Sequence, residues 1–318
     1  MLHKKPKGKL LVIGGGQDLS GEVDSLTDEN NDFKRLDILK ELIPKKTSHR
    51  RKYIEVITTA STEPGGINKK YLKAFKSLGF SKVGFIFVGS PLESSNLKFV
   101  KRIKKAHAVL FSGGNQFRLS TILGNTDILN AIRQRYMDDS EFIVAGSSAG
   151  AMAFPEIMIL GGTINETILN TPLDISTGFG FISQCIIDTH FMHRGRFGRL
   201  SHAVVANPGI LGLGIGEKAA LLVKGGNYAL CIGSGAVVVI DGNDVIYTNV
   251  SIAEENEALC AENLKVHILS NGNGFLLKER KLIPSKKDVR RLLTIKKSGK
   301  KSTVTKIKKT TKVKKSKS

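Results

Sequence analysis

A chain of 318 residues with 41% hydrophobic and 24% charged side chains can bury a full core, as one large α/β domain or as two smaller ones. Its formal charge of +21 is unevenly placed, since eleven lysines and no acidic residue lie between Lys296 and Ser318. The composition argues against a membrane span, which needs roughly eighteen uninterrupted apolar residues. It also gives no disulfide or zinc framework, because Cys185, Cys231 and Cys260 are scattered and odd in number.

Taken in order, Leu10–Ile13 predicts a buried first strand that is too short for a secretory leader, so a cytoplasmic protein is expected. Gly14-Gly15-Gly16 then either cradles a phosphate or lets the chain pass close to the sheet. The lack of a G-x-G-x-x-G spacing or a Walker lysine disfavours a nucleotide. Phe33, Leu36, Leu39, Leu42 and Ile43 recur at helical spacing, and the basic run Lys45–Lys52 reads as an exposed loop. Strands are predicted at 53–58, 83–88 and 108–111, with a helix through Tyr71, Leu72, Phe75 and Leu78 that Gly79 stops. Polar loops at Thr59–Gly65 and Ser112–Gln116 fall at the strand ends where open α/β sheets bind ligands.

This alternation predicts an α/β fold with a doubly wound, mostly parallel sheet flanked by helices, and a fifth strand at 142–145 near its centre. Short strands at 182–187, 219–223, 228–232, 236–240 and 245–247 are expected to continue the same sheet as antiparallel edge strands. The last two are joined by a hairpin at Asp241–Asp244. Residues 1–295 therefore read as a single domain and 296–318 as a disordered Lys-rich tail.

The chemistry is placed at Phe142–Met152, reading F-I-V-A-G-S-S-A-G-A-M. A buried strand that turns sharply into a helix at a serine flanked by small residues is the geometry of an exposed nucleophile. Ser147 and Ser148 compete for that role. Ser148 is better placed, because it directly precedes Ala149, whose amide opens the helix and is free to bind an oxyanion. The competing reading is a helix N-cap serine. A nucleophilic serine needs a base and the base needs a carboxylate. His190, in Asp188–Leu200 (D-T-H-F-M-H-R-G-R-F-G-R-L), can be the base, and Glu217, in G-L-G-I-G-E from Gly212, can orient it. His193 and His202 are rival bases, and Glu156 and Asp174 are rival carboxylates.

Together these blocks resemble the cyanophycinases, within the serine peptidase family that also contains peptidase E. The matching pieces are G-G-x-Q at Gly113–Gln116, S-A-G-A at Ser148–Ala151, the arginine block at Asp188–Leu200 and G-x-G-I-x-E at Gly212–Glu217. The resemblance runs from about Lys9 to Ile283. It implies a class I glutamine amidotransferase-like fold, a homodimer, and cofactor-free and metal-free hydrolysis of cyanophycin to β-Asp-Arg dipeptides. Cyanophycin is a poly-aspartate backbone with arginine on each β-carboxyl. Ser148, His190 and Glu217 would be the triad, with Gly114 and Ala149 forming the oxyanion hole. Gln116, Asp188, Thr189, Arg194, Arg196 and Arg199 would shape the substrate pocket.

Arginine suits a carboxylate-rich substrate because its planar, permanent charge donates in pairs. Arginines at i, i+2 and i+5 share no helical stripe and suit a loop around a ligand; the bland alternative is a solvated basic face. Asp188 and Gln116 could recognise a guanidinium or a free amine. The chain departs from the family pattern at Thr189, where a glutamine is usual, at Gly216, usually acidic, and at Ala219, usually threonine. The other readings are a peptidase E-like hydrolase of Asp-containing or isoaspartyl dipeptides, and a polyanion-binding protein with an inactive site. In the latter, the lysine tail would attract nucleic acid non-specifically.

Overall fold

The computed structural model describes residues 5–16, 36–44, 52–162 and 168–284. The predicted tail at 296–318, most of the basic run after Lys45, and Phe33 of the first predicted helix lie outside the described residues. Strands β1 (Lys9–Ile13), β2 (Tyr53–Ile57), β3 (Lys82–Ile86), β4 (Ala108–Phe111) and β5 (Ile143–Ser147) alternate with helices. The helices are α1 (Asp37–Lys40), α2 (Pro64–Ser77), α3 (Leu97–Lys105), α4 (Gln116–Leu123) and α5 (Asp127–Asp138). All five strands pair in parallel, in the order β1-β5-β4-β2-β3. Helices cover both faces of such a sheet, so the inner strands read as unbroken apolar runs such as AVLF. The helix ends follow local chemistry. Asn115 and Thr126 cap α4 and α5 by accepting from the amides of Arg118 and Leu129, and Pro64 opens α2.

The remaining elements are α6 (Ala149–Met152), β6 (Ile157–Ile159), β7 (Ile175–Thr177), β8 (Cys185–Thr189), α7 (Phe197–Ala206), β9 (Leu211–Ile215), β10 (Ala219–Lys224), β11 (Tyr228–Gly233), β12 (Val237–Asp241), β13 (Tyr247–Thr248), β14 (Ala261–Glu262), β15 (Lys265–Leu269), β16 (Gly274–Leu276) and β17 (Lys281–Ile283). Strands β10, β11, β16 and β17 extend the main sheet beyond β1 in antiparallel fashion, making nine strands with β5 near the middle. The class is α/β, a helix-flanked sheet with antiparallel strands at one side.

Two expectations are corrected. Strands β8, β9, β12 and β15 form a second, four-stranded sheet instead of continuing the first. The hairpin expected at Asp241–Asp244 does not form, because β12 is paired on both sides, by β9 and by β15. With no free edge beside β12, Tyr247 pairs instead with Glu262 of β14. Asp241 Oδ1 still accepts from the Asn243 amide, so the sequence marks a turn there but not a hairpin. Leu10, Val12 and Val144 of the large sheet and Leu213, Ile215, Val237 and Val239 of the small one share a buried cluster. Among the described residues no helix is long and apolar enough to cross a membrane.

Candidate active site

Strand β5 ends at Ser147, and Ser148 takes φ 53° and ψ −118° before α6 begins. That left-handed backbone costs a residue with a side chain on the order of 1–3 kcal/mol, and such strain persists only where the surroundings impose it. Here they do. The Ser148 amide donates to the Ile13 carbonyl at 3.0 Å. A methyl on Gly146 would lie 2.5 Å from the Gly150 carbonyl oxygen, and one on Gly150 would lie 2.8 Å from the Phe111 carbonyl carbon. The turn is therefore too tight for anything but glycine two residues either side of Ser148. The two serines point apart. Ser147 hydrogen-bonds the Tyr71 hydroxyl of α2, which burial pushes up to about 12. Ser148 Oγ lies 3.0 Å from His190 Nε2.

His190 Nδ1 lies 2.6 Å from Glu217 Oε1. With Nδ1–H donating to the carboxylate, Nε2 is left to accept from the Ser148 hydroxyl, the tautomer a general base requires. Three chain segments far apart in sequence therefore meet at one hydrogen-bonded line. Ala149, the first residue of α6, has an amide with no acceptor within its helix. The Gly113–Gly114 loop passes alongside, with a Cβ on Gly113 falling 3.4 Å from Ser148 Cβ. Of the rivals, His193, Glu156 and Asp174 are exposed and His202 is buried on α7, and His193 is near enough for its charge to bear on Glu217. Among the described residues no group of three His, Cys, Asp or Glu side chains converges as a metal site.

The hydrogen bond from His190 holds the Glu217 carboxyl below its usual range, against the opposing effect of burial. A depressed carboxyl stabilises the fold above its unfolded-state pKa and loses that contribution as pH falls through the folded one. The stability difference between wild type and Glu217→Gln, read from urea midpoints, should be constant at neutral pH. It should shrink toward zero as pH drops below about 4.5, the ordinary value for glutamate.

The arginine block is built differently from the expectation of a ligand-lined loop. Asp188 is fully buried, and both its oxygens are taken by the chain's own guanidinium groups. Arg199 Nε and Nη2 donate at 2.7 Å each and Arg196 Nη1 donates at 2.9 Å. Asp188 thus anchors the block and does not face a ligand. Arg199 is buried, Arg196 is half-buried and donates to the Thr189 carbonyl at 2.7 Å, and Arg194 alone is exposed. A solvated basic face is equally ruled out for Arg196 and Arg199. Thr189 is buried on β8 with no hydrogen-bond partner for its hydroxyl among the described residues. Gln116 spends its amide nitrogen on the Ile159 and Leu160 carbonyls, tying α4 to the end of β6. Removing the carboxylate in Asp188→Ala would strand two charges in the interior. Breaking a buried pair this way costs about 3–5 kcal/mol, so the variant should show a large fall in urea midpoint even if its kcat survives.

The description "Peptidase family S51" matches residues 26–231. The chain belongs to peptidase family S51. Among curated S51 relatives, it is 34% identical to the cyanophycinase of Nostoc sp. over 73% of this chain and 78% of that protein. It is 32% identical to the cyanophycinase of Synechococcus elongatus over 87% and 81%. The fold is shared with a crystal structure of a peptidase from an acI-B1 Actinobacterium, with a TM-score of 0.60, 21% identity and coverage of 86% of this chain and 98% of that one. This S51 member is accordingly a serine-type peptidase.

The S51 site also depends on residues whose part the sequence reading missed. Gly14, Gly15 and Gly16 leave β1 directly beneath the His–Glu pair. The Gly14 carbonyl accepts from the His190 amide at 2.9 Å and the Gly15 carbonyl from the Lys218 amide at 3.2 Å. A methyl on Gly15 would run into the His190 ring, and one on Gly16 would stand 2.7 Å from Glu217 Oε2. Both glycines have positive φ, 102° and 64°. The glycine run makes room for an imidazole and a carboxylate, not for a phosphate. His190 and Lys218, next to Glu217, are themselves left-handed at φ 50° and 54°, so the turns at Ser148, at His190 and beside Glu217 each carry a strained backbone.

Proposed function

We propose that this S51 peptidase hydrolyses cyanophycin to β-Asp-Arg dipeptides through a Ser148–His190–Glu217 triad. The observation that supports it most is the unbroken line from Ser148 Oγ through both ring nitrogens of His190 to Glu217, at 3.0 and 2.6 Å. Ser148 Oγ attacks the backbone amide carbonyl while its proton passes to His190 Nε2. The amides of Ala149 and Gly114 receive the oxyanion. His190 then gives the proton to the leaving amine as the C–N bond breaks, and it draws a proton from the water that cleaves the ester. Glu217 stays ionised and steadies the imidazolium. The substrate reading leans on the named relatives and on Arg194, an exposed guanidinium beside the site that suits a carboxylate-rich chain. A homodimer and a cytoplasmic setting belong to the same reading.

Incubating the purified full chain with cyanophycin, with and without a chelator, should release β-Asp-Arg dipeptide at equal rates. No dipeptide from folded protein would sink the cyanophycin assignment. Turnover of Asp-containing dipeptides would then favour the peptidase E-like reading. Nucleic-acid binding lost on deletion of 296–318, with hydrolysis intact, would mark the lysine tail as an accessory.

A further inference from the structure

A cavity of about 430 Å³ opens beside the C-terminal turn of α7, within the size range of ligand pockets, and none of the proposed catalytic or substrate-contacting residues lines it. Leu173 and Ile175, the α7 residues His202 and Ala206 with Asn207 just beyond, and the exposed Glu255 are among the residues that line it. The rim is held in place, since Asn170 Nδ2 donates to the Ala253 carbonyl at 2.7 Å and the Asn256 amide donates to the Asn170 carbonyl at 2.9 Å.

Three features of the cavity suit a cation. His202 is only 8% exposed and its ring has no hydrogen-bond partner among the described residues, leaving an acceptor nitrogen unused at the wall. Burial lowers its affinity for a proton, which favours the neutral ring. The last turn of a ten-residue helix ends at Ala206, and a helix C-terminus favours positive charge. Glu255 stands in Glu254-Glu255-Asn256-Glu257, an acidic stretch in a chain of net charge +21. Leu173 and Ile175 add an apolar wall for an aliphatic stem.

We propose that this cavity is a second binding site that takes an arginyl side chain, its guanidinium at His202 and Glu255 and its methylenes on Leu173 and Ile175. That the arginine comes from cyanophycin rests on the proposed function; the pocket's preference for a cation with an aliphatic stem does not. An arginine held here would tether a polymer while another residue of it occupies the Ser148 site.

The test is an NMR titration of the full chain with Nα-acetyl-L-arginine amide, following imidazole protons and assigning His202 by its loss in His202→Gln. His202 resonances should move saturably, and the midpoint should rise at least tenfold in both Glu255→Gln and Ala206→Trp, which plugs the mouth from an exposed position. Unmoved His202 resonances, or a midpoint unchanged in both variants, overturn the site. Steady-state hydrolysis separates the sources. A KM raised by Ala206→Trp for the polymer but not for a two-unit oligomer identifies the polymer as occupant. Unchanged KM for both assigns the pocket to the released arginyl product. If arginine amide binds but neither substrate is cleaved, the cyanophycin reading falls and the pocket stands.

Discussion

Ser148→Ala is expected to lower kcat on cyanophycin by about 10⁶-fold, the scale seen when a triad serine is removed from other serine peptidases. The substitution deletes the attacking oxygen and leaves His190 Nε2 without the hydroxyl 3.0 Å away. Because triad members act as a unit, Ser148→Ala/His190→Ala should be scarcely slower than either single variant. Ser147→Ala is the matched control one residue earlier. It removes a contact to Tyr71 on the far side of the strand and should keep kcat within a few-fold of wild type. Single-turnover rates with each variant, alongside urea midpoints, separate chemistry from folding. A Ser148→Ala enzyme with near-native kcat would remove Ser148 from the mechanism, and a Ser147→Ala enzyme that was dead would transfer the role.

The second large effect is predicted for Gly15→Ala. The added methyl would overlap the His190 ring, and the residue must also hold φ 102°. The ring has to move, and a displacement of about 1 Å in a catalytic group costs on the order of 10²-fold. We expect kcat to fall by at least that factor with KM little changed, because the methyl acts on the imidazole ring. Stability should drop by only about 1 kcal/mol or slightly more from the strained φ. Gly66→Ala provides the contrast. It lies in α2 with nothing within 4 Å of the new methyl, so it should raise stability by about 0.5–1 kcal/mol and leave kcat alone. Equal behaviour of the two variants would show that the glycine run under the triad has no positioning role.

The parallel half of the fold was legible because its strands are short, buried on both faces and separated by capped helices, so each leaves a local mark. The candidates Ser148, His190 and Glu217 stood out as motifs in a recognisable order, but their meeting at 3.0 and 2.6 Å did not. What the sequence hid is everything set by a distant partner. Gly14–Gly16 read equally as a phosphate cradle or a close pass by the sheet, since nothing nearby says that an imidazole and a carboxylate from beyond residue 189 will rest on them. Asp188 looks like a ligand for an incoming guanidinium because its own two arginines lie eight and eleven residues on, out of reach until β8 and α7 fold back. The turn at Asp241–Asp244 looks like a hairpin because β12's true neighbours, β9 and β15, are invisible to a local pattern.

Strand β1 lies at the seam of the large sheet, parallel to the serine strand β5 on one side and antiparallel to β10 on the other. Its final residue, Ile13, is opposite both Ser147 and Ala220. The Ser148 amide donates to the Ile13 carbonyl, and just beyond β1 the Gly14 amide donates to the Ala219 carbonyl at the start of β10. One strand thus fixes the position of the Ser148 turn and of the β10 lead-in at the same time, so a shift of β1 along the sheet would displace both ends of the hydrogen-bonded line together.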